Sequence, residues 1–162
     1  MIQIWHYQDV FDTSPLPFIA MKSYSDRSGR KPSFEVLYRF LSRDEGGRTS
    51  PPYQHTRWDF LYEGDDPRVD SVWMIWPEFI APDGQILAEG VIPSSGRALM
   101  YIVNLDTEPY HRARIHIGTK GAFVEGPKKV AVCDVVAIHG LSDEGHRSRS
   151  TPSDPGTDSD LA

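Results

Sequence analysis

An all-β chain, closed into a small antiparallel barrel of about six strands, is the fold class the sequence predicts. Three observations predict it. Apolar and β-branched residues alternate with polar ones in short runs between residues 34 and 138. The 13 glycines and 13 prolines fall mostly between those runs, where chain reversals need them. No stretch carries a sustained apolar stripe at helical spacing. Closure is favoured because a closed sheet leaves no strand edge open to unwanted pairing.

The elements follow in order. Residues 1–33 read as an N-terminal extension. Ile2 and Ile4 alternate as in a strand, Pro15 and Pro17 break it, and residues 26–32 form a polar linker. Residues 34–41 give the first barrel strand, alternating well from Val36. Residues 58–62 give the second, after a turn-rich loop. A third strand, 71–76, is stopped by Pro77. Pro82-Asp83-Gly84 and Pro93-Ser94-Ser95-Gly96 are turns around a lengthened middle. Residues 98–105 form the most apolar strand, and residues 106–111 suit one helical turn. Residues 120–125 and 129–138 close the set across a Gly126-Pro127-Lys128 hairpin. The barrel therefore spans residues 34–141. From residue 142 no large apolar side chain appears until Leu161, so residues 142–162 read as a disordered polar tail. Within it, Ser148, Ser150 and Thr151 beside Arg147 and Arg149 read as solvated.

Composition excludes several functions. Hydrophobic residues make up 39 %, a low share that the polar tail partly explains. The net charge of −6 argues against broad nucleic-acid binding, which depends on neutralising phosphates. No apolar run approaches the ~20 residues of a membrane helix. The opening Met1-Ile2-Gln3-Ile4-Trp5-His6 lacks the basic start and apolar core of a secretory leader. The single cysteine, Cys133, has no internal disulfide partner, which points to a reducing cytoplasm. Catalysis, metal and cofactor are not predicted. The histidines 6, 55, 111, 116, 139 and 146 lack zinc-motif spacing, and His111 and His116 read as surface residues. Glu63, Asp65 and Asp66 lack the periodicity of a calcium loop and read as a solvated turn. Cys133 reads as a core residue. Ser42, Ser94 and Ser95 lack a nucleophile-elbow context. Trp58, Trp73 and Trp76 suit barrel packing better than a base-stacking platform.

One stretch is unusually dense in backbone instructions: Leu41-Ser42-Arg43-Asp44-Glu45-Gly46-Gly47-Arg48-Thr49-Ser50-Pro51-Pro52-Tyr53. It follows a strand and leads to Arg57-Trp58-Asp59-Phe60. Val91-Ile92-Pro93 precedes the apolar strand, and Glu125-Gly126-Pro127-Lys128-Lys129-Val130 spans the last hairpin. In this order, over about residues 34–141, the pieces resemble the C-terminal β-barrel domain of bacterial translation elongation factor Tu. The first segment is specific and the later ones weaker. Asp59 stands for a glutamine of the family pattern, Pro127 for a glycine and Lys128 for an arginine. No phosphate loop of the Gly-x-x-x-x-Gly-Lys-[Ser/Thr] type occurs, so neither the GTPase engine nor GTP binding is implied.

The resemblance implies a binding module. A protein interface would use Glu45, Gly46, Gly47, Arg57 and Asp59, meeting another cytoplasmic protein such as a translation factor. An alternative RNA surface, touching a transfer-RNA T-stem, would use Arg48, Glu125, Gly126, Lys128 and Lys129. The negative net charge weakens that alternative. Gly46 and Gly47 are expected to adopt positive φ and to present backbone N–H groups. Pro51 and Pro52 hold the following chain extended. A purely architectural reading instead pairs Arg48 with Asp44 or Glu45 in a bulged rim.

Overall fold

Alternating side chains need one face of each strand covered, and the computed structural model shows how this chain achieves it. The structure describes residues 22–141; the predicted N-terminal strand and the polar tail lie outside the described residues. Six strands form a closed barrel: β1 (Phe34–Phe40), β2 (Trp58–Tyr62), β3 (Trp73–Ile80), β4 (Ser95–Ile102), β5 (Lys120–Glu125) and β6 (Lys128–Ile138). Around the ring the order is β1-β4-β3-β2-β5-β6, with every neighbouring pair antiparallel. Bulges between Glu35 and Val36 and between Phe123 and Val124 supply local curvature. The interior is aromatic. Phe79 is fully buried and meets Tyr38, Phe40, Trp58 and Phe123 at centroid distances of 4.8 to 6.3 Å. Cys133 is buried there too, and burial pushes its thiol up, out of the reactive range.

Several boundaries differ from expectation. The third strand does not stop at Pro77; it continues to Ile80. β2 pairs only with residues 73–75 of β3, so Pro77 lies where the ladder on that side has ended and no donor is needed. β4 begins at Ser95, inside the expected turn, and ends at Ile102. Gly96 allows this, because a Cβ there would sit 3.1 Å from the Tyr38 hydroxyl. Residues 105–114 exceed one turn: a 3-10 turn (Leu105–Thr107) leads into α2 (Glu108–Arg114), whose buried His111 packs against Tyr62 and Trp73 at one mouth of the barrel.

The expected polar linker holds a helix, α1 (Tyr24–Ser28). Ser23 caps its start by accepting from Asp26 N–H, and Gly29, at φ 68°, ends it. α1 lies on the outer face of β3 and β4. Tyr24 packs on Trp76 and Tyr101, Ser25 meets the Tyr101 hydroxyl at 2.9 Å, and the fully buried Glu78 accepts the Tyr24 N–H. Trp58 sits in the core, Trp73 packs against it and Trp76 lies under α1. No helix among the described residues is long and apolar enough to cross a membrane.

Candidate functional site

The glycine-rich stretch folds into one wall of a cleft at the β1 exit of the barrel. β1 ends at Phe40, and the chain turns tightly through residues 42–47. The turn closes with Glu45 N–H to Ser42 O at 3.1 Å, Gly46 N–H to Arg43 O at 3.0 Å and Gly47 N–H to Ser42 O at 2.8 Å. Glu45 reaches back and accepts the Ser42 N–H at 2.9 Å. Arg39, one residue before the end of β1, grips the same carboxylate with both terminal nitrogens, at 2.9 and 3.0 Å. The Arg39 hydrogen bonds, and then the Ser42 N–H, hold the Glu45 carboxyl down at about 2. Removing the fork should undo most of this. In Arg39→Ala, the Glu45 carboxyl is expected to rise toward the ordinary 4.5 while staying below it, because the Ser42 hydrogen bonds remain, read by side-chain NMR from pH 1.5 to 6; an unchanged midpoint would show that the Ser42 donors alone suffice.

Only Gly46 adopts the positive φ expected of both glycines, at 82°. Gly47 is glycine for another reason. A Cβ there would come within 2.7 Å of the Ser42 carbonyl oxygen and closer still to that of Leu41. Its N–H and C=O are both engaged internally, the carbonyl accepting from Lys128 Nζ at 2.8 Å. So Gly47 is buried and presents no donor to a partner.

Arg48 does not pair with Asp44 or Glu45. It forms an ion pair with Glu125 across the rim, donates to Ser50 Oγ at 3.0 Å and lies 5.6 Å over the Trp58 ring. Hairpin closure at Gly126-Pro127 brings Glu125 and Lys128 to this place. Four predicted residues therefore converge: Gly47, Arg48, Glu125 and Lys128. Gly126, at φ 57°, and the exposed Lys129 flank them. Arg57 and Asp59 are held apart on β2's side of the rim, with Arg57 donating to Met74 Sδ at 3.3 Å.

The opposite wall is Pro51 and Pro52 with Ile92, Ser94 and Ser95, and Phe40 and Leu41 form the floor. The space between measures about 600 Å³. Pro52 O accepts Ile92 N–H at 3.0 Å, and Tyr53 pairs with Val91, so the prolines do hold an extended segment. Gln54 anchors it from below. Its amide donates to Phe79 O at 2.8 Å and Leu87 O at 3.0 Å, and its oxygen accepts from Phe79 N–H at 3.1 Å. Arg39, Gln54 and Ile92 were absent from the predicted site. Arg39 carried a signal, since it sits at an outward position of an alternating strand six residues before an acid; Gln54 carried none.

The acidic turn is also more than solvated. Asp65 holds Arg114 of α2 in two hydrogen bonds of 2.9 Å. Among the described residues, no group of three or more His, Cys, Asp or Glu side chains is gathered as a metal would need. A scan against protein-family models finds no match, and no curated protein matches the chain. Neither comparison links the chain to elongation factor Tu; that resemblance stands on the quoted residues alone.

Proposed function

We propose that this barrel is a non-catalytic protein-binding module whose contact surface is the cleft walled by residues 41–53. The observation that carries the reading is the charge balance of the rim. Arg39 is matched by Glu45 and Arg48 by Glu125, while Lys128 is spent on a backbone carbonyl. Such a rim offers shape, an apolar floor and hydrogen-bonding groups, but little surplus positive charge for phosphates. The cleft is shallow and mixed, as suits a loop or strand of another protein. The resemblance to an elongation-factor barrel supports a partner connected with translation, in the cytoplasm, met through a surface like the one such a barrel turns to its own GTPase domain. The RNA alternative has lost most of its cations to internal partners.

Arg48→Glu is the test. It places two acids together where the Arg48–Glu125 pair stood and reverses the charge this wall of the cleft presents to a partner. Calorimetric titration against an elongation-factor-type GTPase domain is expected to give binding that weakens at least about tenfold in the variant, with the folded circular-dichroism spectrum kept. Equal binding by both proteins, or none by either, removes the reading. Transfer RNA retained on filters at low salt, and released by the same substitution, would establish the RNA alternative instead.

A further inference from the structure

The mouth opposite the cleft holds a second set of side chains that the binding reading leaves unused. Here lies a cavity of about 310 Å³, lined by Val72, Trp73, Met74, Asn104, Thr107 and His111 among others. That is the lower end of the ~300–1,000 Å³ typical of ligand pockets. Val72 and Met74, 37 % and 46 % exposed, stand at its entrance. His111, on α2, is only 1 % exposed.

The hydrogen-bond inventory fixes the histidine's tautomer. His111 Nδ1 lies 2.7 Å from the Tyr62 hydroxyl, which has no other hydrogen-bond partner among the described residues. Burial raises the ionisation of Tyr62, so it keeps its proton. Burial and the Arg114 charge keep His111 neutral. A neutral imidazole has one donor and one acceptor nitrogen. If Nδ1 were the donor, the buried Tyr62 O–H would lack an acceptor, which is costly. Tyr62 therefore donates to Nδ1, and the imidazole proton sits on Nε2. Nε2 makes no hydrogen bond among the described residues. The indole N–H of Trp73, whose ring lies 4.9 Å from the imidazole, is likewise buried without an acceptor.

His111 thus carries a ring N–H without an acceptor on a residue that lines the cavity, and no charged residue lines it. Arg114 is held by Asp65 and lies 3.9 Å over the Tyr62 ring, and Arg57 is held on the Met74 sulfur at 3.3 Å. We propose that this cavity is a binding site for a small, uncharged planar ring compound bearing a carbonyl-type acceptor. The acceptor takes the His111 Nε2 proton, and the ring packs against Trp73 and the Met74 side chain. A carboxylate is disfavoured, because no charged side chain lines the cavity to offset its desolvation.

The experiment uses the full chain labelled with nitrogen-15 and three probes: benzamide, benzoate and cyclohexanecarboxamide. Long-range nitrogen spectra are expected to show the Nε2–H tautomer at His111. Benzamide is expected to bind with roughly millimolar affinity, as suits so few atoms, moving the Trp73 indole and His111 ring signals. Benzoate and the non-planar amide should bind at least about tenfold more weakly. Val72→Trp, a change at the exposed entrance that spares the core, should abolish the benzamide shifts. An Nδ1–H tautomer, benzamide shifts that persist in Val72→Trp, equal binding of benzoate, or no shift with any probe would overturn the proposal.

Discussion

Gly47→Ala is expected to destabilise the barrel by about 3 kcal/mol, against about 1 kcal/mol for Gly46→Ala next to it. The two glycines look alike in the sequence and differ in physical role. Gly46 needs glycine for its left-handed φ of 82° and has open space where a Cβ would go. Its cost is backbone strain alone. Gly47 needs glycine because its Cα lies against two backbone carbonyls, those of Leu41 and Ser42. A side chain facing backbone has nothing flexible to displace, so the turn itself must open. Opening it breaks the Gly47 N–H bond to Ser42 and the Lys128 bond to Gly47, and draws Arg48 away from Glu125. The cleft should therefore be lost along with stability. Urea unfolding of the three proteins checks the order. Equal losses at both positions, or a Gly47→Ala change within about 0.5 kcal/mol of the parent, would show that the close approach is not what the glycine serves.

The same contrast explains how much could be read in advance. β2 and β5 were legible to the residue, because short alternating runs flanked by turn residues specify both ends. The ends of β3 and β4 were not, because Pro77 and Gly96 act through neighbours across the sheet. Proline reads as a stop until the β2 ladder is known to end before it. Glycine reads as a turn until the Tyr38 ring is found against it. α1 was hidden for a related reason. Its five residues look polar, and what holds it is a set of distant groups, Trp76, Glu78 and Tyr101. In the cleft, local geometry was visible and partner choice was not. The dense turn chemistry of residues 42–52 announced a shaped rim, but the pairing of Arg48 with Glu125 depends on barrel closure. His111 reads as a surface histidine until α2 is placed over the mouth.

That buried histidine should dominate the response to mild acid. Desolvation first, and then the Arg114 charge, lower the His111 pKa from the ordinary 6.5 to about 4. Its folded value lies below its unfolded one, so the unfolded chain takes up the proton first as pH falls. The stability tied to the neutral imidazole is therefore complete above pH 6.5 and is lost as pH drops from 6.5 to 4. A gap of that size corresponds to roughly 3 kcal/mol, a large part of the stability of so small a domain. Glu45 acts in a different window. Its contribution is present above its ordinary 4.5 and fades as pH falls through about 2, so the two can be told apart. Denaturant unfolding at half-unit pH steps is expected to show a steep fall between 6.5 and 4. In His111→Gln that slope should flatten, whatever the substitution costs at neutral pH, because glutamine fills a similar place without titrating. An unchanged slope in the variant, or an imidazole that titrates near 6.5 by NMR, would mean that α2 does not seal this end of the barrel, and the tautomer assigned at Nε2 would fall with it.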